Sequence, residues 1–291
     1  MALFRGKGKK KKELKYYGTA TALSQGRRFL AATHIGNYAL FGGGYMGGYS
    51  DTVDAYNTSL VRTLPTALSR VRGYLAAIHV GNYALFGGGK QNSTLNIVDA
   101  YDKSLVRTTP TALSQARDML AAASVGNYAL FGGGNMGSGD SNIVDAYDTS
   151  LVRTTPTALS QARRAIATTH VGNYALFGGG IGNTQYAYLN TVDAYDKSLV
   201  RTTPTALSQA RTDLAAANVG DYALFGGGYK ASFSNVVDVY DTSLVRTTFI
   251  ALSQARRQLI ATSVGDYALF GGGDYGDYSN YSNVVDAYVY K

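Results

Sequence analysis

An internal repeat of about 45 residues runs through almost the whole of this 291-residue chain. Each copy begins with Ala-Leu-Ser-Gln-Ala-Arg or a close variant, and continues through an apolar stretch to Tyr-Ala-Leu-Phe-Gly-Gly-Gly. A variable segment and then Val-Asp-Ala-Tyr or Val-Asp-Val-Tyr follow. The arginine of the first motif recurs at positions 27, 72, 117, 163, 211 and 256. Such a period is typical of folds in which each unit buries its apolar face against its neighbours.

Each repeat is expected to form four short β-strands. The chain between the apolar runs is rich in turn residues, and no segment has a sustained helical periodicity. Gly126 and Asn127 predict a hairpin turn between the first two strands, since both residue types tolerate positive φ. Pro156 ends the fourth strand, because proline cannot donate to a β-ladder. In the third copy the predicted strands are 120–125, 128–131, 143–147 and 151–155.

Six copies of a four-stranded antiparallel unit predict an all-β protein, a six-bladed β-propeller. The last copy stops after its third strand, at residues 284–291. By the register of the repeat, residues 14–21 stand where a fourth strand would precede the first copy. We therefore expect the N-terminal strand to complete the last blade and close the ring, which removes exposed sheet edges. Residues 14–291 then form a single propeller.

The repeat resembles the kelch family in several positions. Gly87-Gly88 matches the glycine pair that ends the second strand, Val98-Asp99-Ala100-Tyr101-Asp102 matches the third strand, and Arg117 matches the arginine that leads into the next repeat. The kelch tryptophan is absent, and Arg107 stands in its place, so the packing between blades is expected to differ from that family. The resemblance implies a propeller whose ligand-binding face carries the loops between second and third strands. The near-identity of the copies is also similar to repetitive kelch-like proteins of bacterial and phage genomes.

The constant polar positions are expected to be structural. Third-strand aspartates and fourth-strand arginines predict a repeated ion pair or hydrogen bond between blades, and six equivalent carboxylates leave none with a specially tuned pKa. Twelve tyrosines at constant positions are expected to pack against neighbouring sheets with their hydroxyls near water. The aspartates are Asp54, Asp99, Asp145, Asp193, Asp238 and Asp286.

The copies differ mainly in two places: the segment after each glycine triplet, and the two residues after each constant arginine. In an up-and-down meander both places lie at one end of the blades, so they should surround one mouth of the central channel. The variable segments are rich in Tyr, Ser, Gly and Asn, the mixture that antibody loops use. Neutral drift of surface loops is the alternative, but it does not account for nine variable tyrosines. The predicted ligand-binding or partner-binding residues are Phe29, Tyr45, Tyr49, Tyr74, Lys90, Met119, Tyr186, Tyr188, Tyr229, Phe233, Tyr275, Tyr278 and Tyr281.

The formal net charge of +8 belongs mainly to the N-terminus. Residues 1–13 form a basic tail, expected to be disordered or to dock on the anionic surface of a larger assembly through Lys9, Lys10, Lys11 and Lys12. Nucleic acid could bind this tail only without sequence preference. No stretch has the roughly 18 apolar residues of a membrane span, and no apolar region follows the basic start as in a signal peptide. We expect cytoplasmic synthesis, which also fits a virion component.

Composition disfavours several kinds of catalysis. The chain has no Cys and three His. His34, His79 and His170 occupy one repeat position in different blades, so we expect separated, solvated turn residues rather than a metal centre. Asp274 and Asp277 offer too few oxygen ligands for calcium. The sequence therefore predicts no catalytic residue, no metal and no cofactor.

Three functions remain open. The leading hypothesis is a non-catalytic recognition module for a protein or glycan, such as a phage or prophage receptor-binding or virion surface protein. The alternative is an intracellular kelch-type protein-interaction scaffold. The third is a glycan-active enzyme using carboxylates at the mouth, among Asp51, Asp118, Asp140, Asp213, Asp274 and Asp277; it is weakened because Glu13 is the only glutamate.

Overall fold

The computed structural model describes residues 19–183, 187–276 and 280–291, which form a six-bladed β-propeller of small antiparallel sheets. Within those ranges all regular structure is β-strand, as the sequence predicts. None of the residues that the structure describes belongs to a helix of the length and hydrophobicity that a bilayer crossing needs. The predicted basic tail and most of the predicted closing strand, residues 14–18, lie outside the described residues.

Each blade is an up-and-down meander in which neighbouring strands are hydrogen-bonded in chain order. The first strands are Ala31–Ile35, Ala76–Val80, Ala121–Val125, Ala167–Val171, Ala215–Val219 and Ile260–Val264. The second strands are Tyr38–Gly42, Tyr83–Gly87, Tyr128–Gly132, Tyr174–Gly178, Tyr222–Gly226 and Tyr267–Gly271. The third strands are Val53–Asn57, Val98–Tyr101, Val144–Tyr147, Val192–Tyr195, Val237–Asp241 and Val285–Val289. The fourth strands of the first five blades are Arg62–Thr63, Arg107–Thr108, Arg153–Thr154, Arg201–Thr202 and Arg246–Phe249.

Three short pairs of strands lie outside the blades. Arg163–Arg164 pairs with Ile181–Gly182, Tyr229–Lys230 with Ser232–Phe233, and Asp274–Tyr275 with Asn280–Tyr281. All three involve the variable segments after the glycine triplets.

Most fourth strands are shorter than the sequence predicts, because the preceding turn is longer. In the third blade the carboxylate of Asp148 accepts hydrogen bonds from the backbone N–H groups of Ser150 and Val152. Leu151 adopts a φ of 63° and packs its side chain against the core. The predicted strand 151–155 is thus reduced to Arg153–Thr154. Such short edge strands offer little template for pairing with another chain.

Neighbouring blades are joined by a phenylalanine ring packed on a glycine. A Cβ atom added to Gly87 would lie 2.7 Å from Cε1 of Phe131 in the next blade. Phe131 itself is fully buried. The first glycine of the triplet is therefore required by close approach as well as by the end of the strand.

This glycine–phenylalanine contact is present at each of the five junctions from blade 1 to blade 6. Among the described residues it is absent at the sixth junction, between blade 6 and blade 1. Of the described atoms outside its neighbours, only Val285 of the same blade lies near a Cβ added to Gly271. Ile260 is 76% exposed, whereas Ala76, at the same repeat position, is 8% exposed. Val285 is 61% exposed, and its counterpart Val98 is 1% exposed. Blade 6 has three strands among the described residues, so closure by the N-terminal strand stays a prediction.

The constant aspartates are ion-paired within their own blade, so the expectation of a pair between blades was wrong. Asp193 lies 2.8 Å from both Arg163 and Arg201, one on each carboxylate oxygen. Arg163 precedes the first strand of blade 4 and Arg201 lies on its fourth strand, so one buried carboxylate ties the two edges of the sheet together. Asp286 in blade 6 pairs with Arg256 at 2.6 Å.

The third-strand tyrosines also differ from expectation. Tyr101 is fully buried, and its hydroxyl donates to the backbone carbonyl of Thr66 at 2.7 Å rather than reaching water. Burial raises the pKa of Tyr101, and the nearby Asp99 carboxylate adds to that rise. Equivalent bonds recur in every blade, on the carbonyls of Thr21, Thr111, Thr157, Thr205 and Ile250.

Candidate functional site

The two variable segments of a blade are hydrogen-bonded to each other at one end of the propeller. In blade 3 the backbone of Asp118 exchanges both hydrogen bonds with Asn135, at 2.9 and 2.8 Å. The same pairing joins Arg28 with Tyr45, Gly73 with Lys90, Thr212 with Tyr229, and Arg257 with Asp274. The variable residues thus surround one opening, which we call the mouth.

The second variable residue after each constant arginine is in the left-handed region of backbone conformation. We call these six residues the mouth ring, and their φ values lie between 51° and 58°. The ring consists of Phe29, Tyr74, Met119, Ala165, Asp213 and Gln258. None is glycine, although glycine is the residue that takes this conformation without steric cost.

Backbone hydrogen bonds link members of the mouth ring from one blade to the next. Tyr74 donates to the carbonyl of Phe29 at 3.0 Å, and Met119 donates to Tyr74 at 2.9 Å. Gln258 donates to Asp213 at 2.8 Å. The positive φ therefore follows from a constraint of the scaffold, which holds six different side chains around the axis.

Buried arginines hold the loops that flank the mouth. The Arg117 guanidinium donates to the carbonyls of Phe131, Gly133 and Ile143, the last of these in a short contact. These carbonyls stand at both ends of the variable segment 135–142. Because Arg117 directly precedes Asp118 and Met119, one fixed side chain positions both variable segments of the blade.

Blades 1 and 2 contribute a first aromatic cluster, formed by Phe29, Tyr45, Tyr49 and Tyr74. The rings of Phe29 and Tyr74 are stacked with centroids 4.1 Å apart, and those of Tyr45 and Tyr49 meet edge to face at 5.2 Å. Two cations lie over these rings: Arg28 at 4.8 Å from Phe29, and the Lys90 ammonium at 5.5 Å from Tyr74. Burial raises the pKa of Tyr74. The cluster is a rigid aromatic surface with positive charge at its edge.

Blades 4 and 5 contribute a second aromatic cluster of Tyr188, Tyr229 and Phe233. Tyr229 meets Tyr188 at 6.0 Å and Phe233 at 5.7 Å, in edge-to-face geometry. The guanidinium of Arg257 lies 5.1 Å from the Tyr229 centroid. Beside this cluster lies a cavity of about 560 Å³, whose lining includes Phe233 and Lys230.

Carboxylates near the mouth are already engaged by cations. Asp140 lies 2.6 Å from Arg164, and Asp274 lies 3.0 Å from Arg257. Asp118 is 2% exposed, and one of its oxygens lies 3.8 Å from the Lys90 ammonium. Burial raises the pKa of Asp118, and it also raises that of Asp213.

Structure groups some of the predicted binding residues and leaves others apart. Met119 is exposed in the mouth ring, and Tyr275 lies half-buried opposite Asn280 on a strand pair whose last residue is the well-exposed Tyr281. Tyr186 and Tyr278 lie outside the described residues, as do the four tail lysines. Sequence reasoning did not select Arg28 and Arg257, which cover the aromatic clusters. Each of them directly follows a constant arginine, as the first of the two variable residues, and this position in the repeat could have identified both.

The sequence predicted separated turn residues at the three histidines, whereas the structure places all three on strands and brings two of them together. His34, His79 and His170 lie on first strands, and the rings of His34 and His79 are 4.2 Å apart. The first strands meet around the axis at a radius small enough for side chains of neighbouring blades to touch. In the described part of the chain, no three side chains of His, Cys, Asp or Glu converge as a metal centre would need.

No model of a known protein family matches the chain, and no curated protein sequence matches it significantly.

Proposed function

We propose that the protein is a non-catalytic recognition module that binds a protein or glycan ligand at the mouth. The fold suits this role, because a propeller presents loops from all blades around one opening. Two aromatic clusters flanked by Arg28, Lys90 and Arg257 supply contact area and polar groups at fixed positions. Rigid aromatic anchors of this kind are enriched where proteins bind one another.

The observation that carries the proposal is the use of large side chains at strained positions of the mouth ring. A non-glycine residue with φ near 55° costs about 1 kcal/mol. Elsewhere glycine takes most of the positive-φ positions, as at Gly126 and Gly133, and the exceptions are Ala231 and five equivalent turn leucines such as Leu151. Leu151 also has a positive φ, but its packing against the core explains its side chain. Phe29 and Met119 are 38% and 39% exposed, so core packing does not explain why these positions carry large side chains.

Within this role we favour a receptor-binding or surface protein of a phage, prophage or virion. Nearly identical blades with divergent mouth residues fit a scaffold on which binding specificity changes while the fold is kept. The basic residues 1–13 would then anchor the propeller to an anionic surface of a larger assembly, after synthesis in the cytoplasm. An intracellular kelch-type scaffold is the alternative, and it would use the same mouth for a cytosolic partner.

A glycan-active enzyme is a third candidate, favoured by one observation. Burial raises the pKa of Asp118 and Asp213 in the mouth, and a raised carboxyl pKa is what a general acid requires. Against it, Lys90 and Arg257 lie beside these carboxyls and oppose the rise. We therefore rank a glycan-active enzyme below a non-catalytic recognition module.

The test compares the full chain with a variant in which the whole mouth ring is glycine. The changes are Phe29→Gly, Tyr74→Gly, Met119→Gly, Ala165→Gly, Asp213→Gly and Gln258→Gly. Fluorescently labelled protein is applied to intact bacterial cells, to a printed glycan array and to an immobilised cytosolic extract. We expect binding to cells or glycans that the variant loses, while its circular dichroism is unchanged. Equal binding by the variant would exclude the mouth ring as the binding surface, and with it the observation that carries the proposal.

The same samples separate the three functions. Mouth-dependent capture of a cytosolic partner without binding to cells would support the scaffold. Hydrolysis of an arrayed glycan that is lost in Asp118→Asn or Asp213→Asn would support the enzyme.

A further inference from the structure

The central channel contains a cavity of about 400 Å³, separate from the mouth. Residues from the first strands of all six blades line it. One repeat position contributes a collar of polar side chains to this lining or directly beside it. The collar consists of His34, His79, Ser124, His170, Asn218 and Ser263.

The collar lies at the end of the first strands that is remote from the mouth ring. In blade 1 the ring residue Phe29 precedes the first strand, whereas His34 pairs with Ala39 next to the Gly36 hairpin. A ligand in the collar would therefore not contact the proposed recognition residues.

The lining has an unusual charge composition. Among the described residues that form the cavity wall there is no carboxylate and no Lys or Arg. Hydroxyl groups of Ser124, Thr168 and Thr262 and the amide of Asn218 supply neutral polar groups. The three imidazoles are therefore the only groups of this wall and collar whose charge changes between pH 5 and 8.

The charged groups nearest to this end lie outside the cavity wall. By chain position the nearest carboxylates are Asp221 and Asp266, in the hairpins that follow the first strands of blades 5 and 6. The Asp221 carboxylate accepts a hydrogen bond from the Tyr290 hydroxyl at 3.2 Å, and Lys103 and Lys197 pack on the outer hairpins at Gly36 and Gly126. Neither aspartate lines the cavity.

Partial desolvation favours the neutral form of two of the imidazoles. It lowers the pKa of His79, and the neighbouring His34 and His170 lower it further. Desolvation also lowers the pKa of His170. Mutual repulsion of this kind is relieved when an anion lies between the protonated rings.

We propose that the central channel binds a small oxyanion, such as sulfate or phosphate, between His34, His79 and His170 when these imidazoles are protonated. Each protonated ring offers two N–H donors, and the Ser124 and Thr262 hydroxyls and the Asn218 amide of the wall complete the donor set. Charge-assisted hydrogen bonds to oxyanion oxygens are the strong class of such bonds. Because no described residue of the wall is a carboxylate, an external anion is the partner available to neutralise the collar.

The test uses sulfate, whose charge is constant over the pH range of histidine titration. With three histidines in the chain, proton NMR follows each imidazole C–H signal from pH 5 to 8. Titrations of the full chain in sodium sulfate are compared with titrations in sodium chloride of equal ionic strength. We expect sulfate to raise the midpoints of His79 and His170 by about half a pH unit, which corresponds to about threefold tighter binding per proton. Coincident midpoints in the two salts would overturn the proposal.

Matched controls come from the repeat itself. His34→Ser, His79→Ser and His170→Asn install residues that other blades carry at this position, so the fold should be kept. Calorimetric titration with sulfate at pH 5.5 should give heat for the wild type and none for the triple variant, and wild-type binding should weaken at least about tenfold at pH 8. Sulfate binding that survives in the triple variant, or that is the same at both pH values, would place the anion elsewhere. Repeating the titration with acetate separates a tetrahedral oxyanion site from a general anion site.

Discussion

The guanidinium of Arg163 and the carboxylate of Asp193 lie 2.8 Å apart, and neither side chain is exposed to solvent. Arg163 belongs to the segment that enters blade 4, and Asp193 belongs to its third strand. The contact therefore ties the start of the blade to its far half. The Arg163 guanidinium also donates to the carbonyl of Phe177, at the end of the second strand.

Removing Asp193 should leave two arginines without their shared carboxylate. We expect Asp193→Ala to lower the free energy of unfolding by about 3–5 kcal/mol, because it leaves the buried Arg163 uncompensated. Asp286→Ala is the matched control in blade 6, where the side chain is 15% exposed and no described fourth-strand arginine pairs with it. Its cost in urea-induced unfolding should be clearly smaller. If the two variants lost equal free energy of unfolding, neither the second arginine nor the deeper burial of Asp193 would contribute to stability.

Acid should destabilise the propeller partly through Asp54. Burial alone would raise the pKa of Asp54, but hydrogen bonds from Ser24 and Arg27 outweigh it, and the pKa is lowered. A lowered folded-state pKa gives stability that is present above the unfolded value of about 3.9 and is lost as the pH falls below it. Urea midpoints should therefore drop between pH 5 and pH 3. In Asp54→Asn this drop should be shallower; an unchanged pH dependence would assign it to other carboxyls.

The joint between blades predicts unequal effects at equivalent glycines. A Cβ on Gly178 would lie 2.6 Å from the Phe225 ring, so Gly178→Ala should cost about 1–3 kcal/mol through overpacking. At Gly271 the nearest described contact is Val285 at 3.4 Å, so Gly271→Ala should cost less than about 0.5 kcal/mol. Thermal unfolding of both variants measures the difference. A large cost at Gly271 would mean that Phe41 of blade 1 packs on it in solution.

Mouth residues and turn residues with the same backbone conformation should respond differently to glycine. Met119 and Leu151 have φ values of 51° and 63°. Met119→Gly should change the free energy of unfolding by less than about 0.5 kcal/mol, because relief of strain offsets the added chain entropy. Leu151→Gly should cost about 2 kcal/mol or more, since its side chain packs on the core. Chemical unfolding compares the two, and similar costs would show that Met119 also has a packing role.

Deleting residues 1–18 tests the predicted closing strand. Val285 and Val289 on the third strand of blade 6 are 61% and 44% exposed among the described residues. Without a fourth strand this edge should promote association, so the truncated chain should elute earlier in size-exclusion chromatography and unfold at lower temperature. Deletion of residues 1–13 alone should change neither property. If both truncations behave alike, residues 14–18 do not complete the blade.

Several aspects of this protein follow from the sequence alone. The period gave the blade count, the glycine-containing hairpins gave the first two strands, and the differences between copies identified the variable segments. These features are local, since each depends on residues close together in one repeat. The fourth strand was overestimated because nothing in Leu151 itself indicates a positive φ.

The ion pairs, the mouth-ring conformation and the histidine contact were decided by tertiary structure, because they depend on distances between strands and between blades. It assigned Asp193 to two arginines of one blade, since the segment that enters a blade folds back over its own third strand. It placed six non-glycine residues in the left-handed conformation, because backbone hydrogen bonds from blade to blade fix their φ. It also brought His34 to His79, since first strands of neighbouring blades converge near the axis. The period of a repeat can be read from the sequence, but the radius and twist of the ring determine which of its residues come into contact.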